Sequence, residues 1–238
     1  MTSVRGQFKQ VNLNANYTWS HCISDKTGGG NPSDTPLIGR DRGNCGTAVN
    51  TAGFDRHHLV NLSVVAATPR FSKSALHAIA SGWEVSAIYR ISSAPYITIV
   101  SGQDRALNGI TYQNAQRVDQ LLPNVYQDTS GKLGSQFLNR AAFAQPSLGT
   151  IGNVARFSVP GFGTWNLDMA LARKFALGET QRFEIRAEAF NATNSVRPVN
   201  LADTTFGTAE NNFSSGQFGR VTRVLPARVM QFALKYAF

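Results

Sequence analysis

Six segments of this chain alternate apolar and polar residues with a period of two, and that spacing is the strongest constraint on its fold. In "VNLNANYTWS", Val11, Leu13, Ala15, Tyr17 and Trp19 alternate with Asn12, Asn14, Asn16, Thr18 and Ser20. The terminal "VMQFALKYAF" sets Met230, Phe232, Leu234, Tyr236 and Phe238 against Gln231, Ala233, Lys235 and Ala237. Successive strand side chains point to opposite faces, so each segment predicts a strand with one apolar and one polar face. "VNLSVVA", "GWEVSAIYRIS" with a continuation into "PYITIV", "WNLDMALARKF" and "RFEIRAEAF" follow the same pattern. No segment keeps a helical period, so the class predicted is all-β: an antiparallel meander of about six long strands.

The connections alternate too. Long polar stretches cover about 22–56, 101–163 and 194–226, whereas "LGET" and the moderate "TPRFSKSALHAIAS" join the other neighbours. An up-and-down sheet with tight turns at one end and elaborated loops at the other produces this order, as outer-membrane barrels do. Loops this long are uncommon in compact soluble domains.

Period two suits a soluble sandwich as well as a membrane barrel. Three features favour the barrel. The runs span about nine to fourteen residues, near the 9–11 that cross a bilayer on a tilt and longer than the usual five or six. The aromatics Tyr17, Trp19, Trp83, Trp165, Phe175 and Phe183, with Tyr236 and Phe238, fall at strand ends, as two rims of a lipid-facing band would have them. Arg182, Glu184, Arg186 and Glu188 stack on one face, where opposite charges pair locally along a hydrated lumen; in a sandwich the same face would meet solvent. Six strands do not close a membrane barrel, whose smallest members have eight. With no signal peptide in "MTSVRGQFKQVNLNANY", the expectation is the carboxyl-terminal part of a larger barrel.

The segments "GWEVSAIYRISSAPYITIVSG", "LNRAAFAQPSLGTIGNVARFSVPGFGTWNLDMALARKF", "RFEIRAEAFNATN" and "FGRVTRVLPARVMQFALKYAF" resemble, in order, the last strands of TonB-dependent outer-membrane receptors, notably those with an amino-terminal carboxypeptidase-regulatory-like domain. The resemblance implies a 22-stranded barrel with an amino-terminal plug, taking up a scarce ligand with energy from an inner-membrane complex. It places the chain in the bacterial outer membrane, against outer-membrane lipid. The plug that would contact the TonB complex, and the earlier strands, lie outside this sequence, so transport by the segment alone is not expected. Met230, Phe232, Leu234, Tyr236 and Phe238 resemble the terminal signal read by the barrel-assembly machinery. The transported ligand is not indicated.

Other chemistry is sparse. A formal charge of +9 permits an anionic partner, but the basic residues are scattered and no nucleic-acid motif accompanies them, so no nucleic-acid partner is expected. Charged residues are only 16% of the chain, and neutral polar residues fill the difference. Cys22 and Cys45 flank one Gly/Pro/Asp-rich loop, which suits a disulfide in an oxidising compartment; two unrelated thiols are the alternative. His57 and His58 would face opposite ways on a strand and make a poor metal pair; "FDRHHLV" reads as the rim of a loop. Asp41, Asp55 and Asp104 lack calcium-loop spacing, and "GGGNP" and "PGFGTW" read as loop and turn. Neither a cofactor nor an enzymatic activity is expected.

Overall fold

The computed structural model describes residues 1–22, 55–109, 116–176, 178, 180–199, 201 and 210–238. Seven long strands form one sheet in chain order: β1 (Thr2–Phe8), β2 (Val11–Trp19), β3 (His58–Ala67), β4 (Trp83–Ser92), β9 (Thr164–Ala176), β10 (Arg182–Phe190) and β11 (Val229–Ala237). Every neighbouring pair is antiparallel. The long connections all leave from one end of this meander, the loop end, and the short ones from the other, the turn end.

Three details depart from the expectation. β1 is a seventh strand, joined to β2 by the two-residue loop Lys9–Gln10, with Lys9 in the left-handed region at φ 44°. Its apolar face reads Thr2, Val4, Gly6, Phe8, and the polar Thr2 and bare Gly6 blur the alternation. The moderate connection holds a helix, α1 (Ser74–Ala80), only two turns long and with Leu76 and Ile79 exposed. "PYITIV" does not continue β4: the chain leaves the sheet at Pro95, and β5 (Tyr96–Ile97) pairs with β8 (Val159–Pro160) instead. Two further residues, β6 (Asp119–Gln120), pair with β7 (Phe143–Ala144).

Register joins the apolar faces into continuous rows. Tyr17, Val60, Ile91 and Trp165 are neighbours at the loop end; Leu13, Val64, Ala87, Met169, Ala189 and Met230 form a central row. Phe175, Phe183 and Tyr236 close the face at the turn end. From Trp165 to Phe175 is ten residues, about 33 Å along a strand at ~3.3 Å each. Tilted by about 45°, that length spans roughly 23 Å, close to the ~25 Å apolar band of a membrane barrel.

The buried core lies elsewhere. Of the described buried hydrophobic residues only Ala172 belongs to the seven-stranded sheet; the core cluster, including Ile97, Ile99, Val118, Phe137, Leu138, Phe143 and Phe218, is built by the second long loop, which begins already at Pro95, and the third. These loops are interlocked through the backbone: Phe213 N donates to Val100 O at 2.8 Å, Phe137 N to Gly219 O at 2.7 Å and Val221 N to Ser135 O at 2.9 Å. Among the described residues, the sheet's apolar face carries no second sheet: Phe232 is 76% and Leu234 71% exposed. A sandwich would bury that face against a layer about 10 Å away.

Candidate functional site: the polar wall and its loop base

The polar face of the sheet is a wall of paired charges and amides. Lys174 Nζ lies 3.0 Å from Glu84 Oε2, and Arg186 Nε lies 2.6 Å from Glu188 Oε1 with Glu184 at 3.9 Å. Gln231 Nε2 donates to the other oxygen of Glu188, extending the ladder onto β11. Arg182 occupies the same face one pair nearer the turn end, opposite Ala176 and Ala237. The side chains of these ion pairs are partly exposed on this face, whereas a lipid-facing Arg or Lys at mid-bilayer would cost about 2–4 kcal/mol.

The aromatic residues sort into two rims. Tyr17, Trp19 and Trp165 stand at the loop end; Trp83, Phe175, Phe183 and Tyr236 stand at the turn end, with Phe238 just beyond β11 and 6.1 Å from the Tyr236 ring. One charge on the apolar face was not anticipated. Arg173 packs its guanidinium 5.0 Å from the Trp83 ring and 4.6 Å from Phe175, and it donates to the carbonyl of Ala78 in α1. Trp83 Nε1 donates to Ile79 O at 2.8 Å, tying the same helix to the rim. A stem along apolar surface with the head among aromatics is how Arg settles at a membrane interface. Arg173→Ala should lower stability by about 1–2 kcal/mol, two cation–π contacts of ~0.5–1 kcal/mol each. Arg173→Lys should recover only part, because it lacks the planar stack. The midpoint of heat-induced gel-mobility shift in detergent measures both.

Within the second long loop, Asp104 accepts from Asn108 N at 3.2 Å, Gly109 N at 2.9 Å and Gln116 Nε2 at 2.5 Å. The Gln116 bond is the main reason that the carboxyl is held below its ordinary 3.8, and the backbone donors act in the same direction. Because the folded value is the lower one, this turn gains stability above the ordinary carboxylate range and loses it as pH falls through the folded value. An NMR titration should place Asp104 below 3.8. Gln116→Ala should move it back up.

Three loop-base side chains converge although nothing in the sequence marked them as a set. Ser20 N donates to His57 O at 3.1 Å, extending the β2–β3 ladder beyond the Trp19–His58 pair. This brings His21 beside Asp55 and His57. Asp55 Oδ2 lies 3.0 Å from His21 Nδ1 and 2.9 Å from His57 Nε2, and the two nitrogens are 3.0 Å apart. Asp55 is 7% exposed and His21 44%. His58 turns away, as its position on a strand requires: Tyr17 Oη is 2.9 Å from its Nδ1, and its ring lies at 85° to that of His57. Arg56 is tied to the end of β4 through Ser92 Oγ at 3.0 Å and Ser93 O at 2.9 Å.

Of the remaining expectations, Cys22 is a disulfide cysteine, while Cys45, Asp41 and "GGGNP" lie outside the described residues. "PGFGTW" forms the turn into β9, with Gly161 N donating to Pro95 O at 2.8 Å.

A meander with an uncovered apolar band, aromatic rims and a charge-paired opposite face defines the wall of a membrane β-barrel. The family model described as "Outer membrane beta barrel domain" matches residues 1–231, and the chain belongs to that family. Its place is the bacterial outer membrane. Neither a curated protein nor a solved structure matches the chain significantly.

Proposed function

We propose that this chain forms the closing part of the barrel of a TonB-dependent uptake receptor. The observation that carries the reading is the cap: two long loops from the same end of the wall share a hydrophobic core, with Ile97 and Ile99 from one and Phe218 and Val221 from the other. Such a folded surface fits capture of a scarce ligand better than a plain pore does, because capture needs groups held in place. The long-loop end faces the exterior, the polar face lines the lumen and the apolar face meets lipid.

The sheet's edges, β1 and β11, do not pair with one another, and all nine residues of β11 are exposed. An open edge in hydrocarbon leaves backbone groups unpaired at several kcal/mol each. Further strands therefore complete the wall, and a plug would link it to the TonB complex. The terminal strand is the segment that the assembly machinery would read. Neither enzymatic chemistry nor a cofactor enters this proposal.

In cells making the whole protein, uptake of labelled candidate ligands, from siderophores and cobalamin to glycans and peptides, should stop when an uncoupler dissipates the proton-motive force, while surface binding persists. Uptake unaffected by the uncoupler would rule out energised transport.

A further inference from the structure

We infer that His21, Asp55 and His57 form a binding site for one divalent first-row transition cation, of the two-histidine, one-carboxylate type. This inference stands apart from the uptake reading, since it concerns the loop base whatever the barrel carries. The three donor atoms form a triangle with sides of 3.0, 2.9 and 3.0 Å. A cation about 2.1 Å from each of three adjacent ligands in octahedral geometry would hold them about 3.0 Å apart. The triangle therefore matches one face of that coordination sphere and leaves the opposite face for water or a ligand group.

Hydrogen bonding alone does not account for all three sides. If both imidazoles are neutral and donate to Asp55 Oδ2, no proton lies between His21 Nδ1 and His57 Nε2. If His57 Nε2 donates to His21 Nδ1, that nitrogen presents its lone pair to the carboxylate. A cation satisfies all three donors together. It also offsets the cost of enclosing the Asp55 carboxylate, which protein packing has almost removed from water.

The surroundings suit this assignment. Tyr96 Oη stands 3.5 Å from His57 Nδ1 and their ring centroids are 5.2 Å apart. This is the position of an outer partner that fixes a ligating imidazole by accepting from its second nitrogen. Imidazole and carboxylate favour zinc, iron, nickel or copper over magnesium and calcium, which take oxygen ligands. His58, next in sequence, is held by Tyr17 outside the triangle and serves as an internal control.

The test is a zinc titration of the whole protein in detergent micelles, read by competition with a chromophoric chelator, with magnesium in excess. We expect one zinc per chain and an X-ray absorption first shell of nitrogen and oxygen near 2.1 Å. His21→Ala, whose side chain is substantially exposed, should weaken binding at least tenfold while the heat-modifiable barrel band stays unchanged. Asp55→Asn should weaken it further, and His58→Ala should bind as the parent does. Absence of zinc binding by the parent protein, or binding that survives His21→Ala and His57→Ala alike, would overturn the assignment.

Discussion

Leu171→Arg should lower the stability of the membrane-inserted protein by about 2–4 kcal/mol, whereas Ala170→Arg, one residue away, should change it little. Leu171 lies near the middle of the apolar band, between Val85 on β4 and Ala187 on β10. An arginine there would put its charge close to the middle of the band, near the depth where hydrocarbon penalises it most. Ala170 lies on the opposite face, paired in register with Ser86 and Glu188, where a cation meets a carboxylate and water. The two variants have the same charge and adjoining positions, so they isolate the face. Urea titration of the protein folded into lipid vesicles measures the difference, and accumulation in the outer membrane should follow the same order. Equal tolerance at both positions would remove the lipid-facing assignment.

Phe137→Ala should cost about 3–5 kcal/mol, the usual range for truncating a buried aromatic, and should act on the cap alone. Phe137 is buried, with ring centroids 4.1 Å from Phe162 and 5.0 Å from Tyr126. It also anchors the joint between the two loops, since its N–H donates to Gly219 O at 2.7 Å. Loss of the side chain should leave a cavity where the second and third long loops meet. Limited proteolysis from outside intact cells should then cut these loops faster, while the barrel keeps its heat-modifiable mobility. Gly152→Ala should act in the same way by a different cause. A Cβ at Gly152 would overlap the carbonyl oxygens of Arg117 and Val118, which are backbone and cannot swing aside. Parallel loss of barrel and cap in both variants would mean that the two do not fold as separable units.

The contrast between wall and cap explains what could be read from the sequence. β2, β3, β4, β9, β10 and β11 were legible because each keeps period two over seven residues or more, and register then aligns faces that were already marked. β1 was hidden because Gly6 and Thr2 occupy its apolar face, and only pairing with Leu13 and Tyr17 makes it a strand. α1 was hidden because two turns are too few for a helical period to show. The alternation of "PYITIV" predicted an extension of β4, yet Ile97 and Ile99 are buried in the cap, because Pro95 supplies no N–H for a continuing ladder.

The cap core itself carries no periodic signal. Ile97, Phe137 and Phe218 come from points far apart in the chain, and only the folded loops bring them together. The His21, Asp55 and His57 triangle escaped notice for a related reason. Its members flank a long loop, and the register of β2 against β3, not any local spacing, makes them neighbours. The charge ladder and the rim aromatics, by contrast, lie within single strands, where sequence order already fixes the face.

The most direct measurement is accessibility of nitroxide labels placed singly along β3 in the lipid-embedded whole protein. Collision with oxygen, which concentrates in hydrocarbon, should be strong at positions 60, 62, 64 and 66, the sites of Val60, Leu62, Val64 and Ala66. Collision with a water-soluble nickel chelate should be strong at Asn61, Ser63 and Val65. Two opposed period-two patterns are the predicted result. Positions 60 to 66 shielded from both quenchers on the apolar face, as in the core of a sandwich, or open to the chelate throughout, would contradict a wall that stands between lipid and lumen.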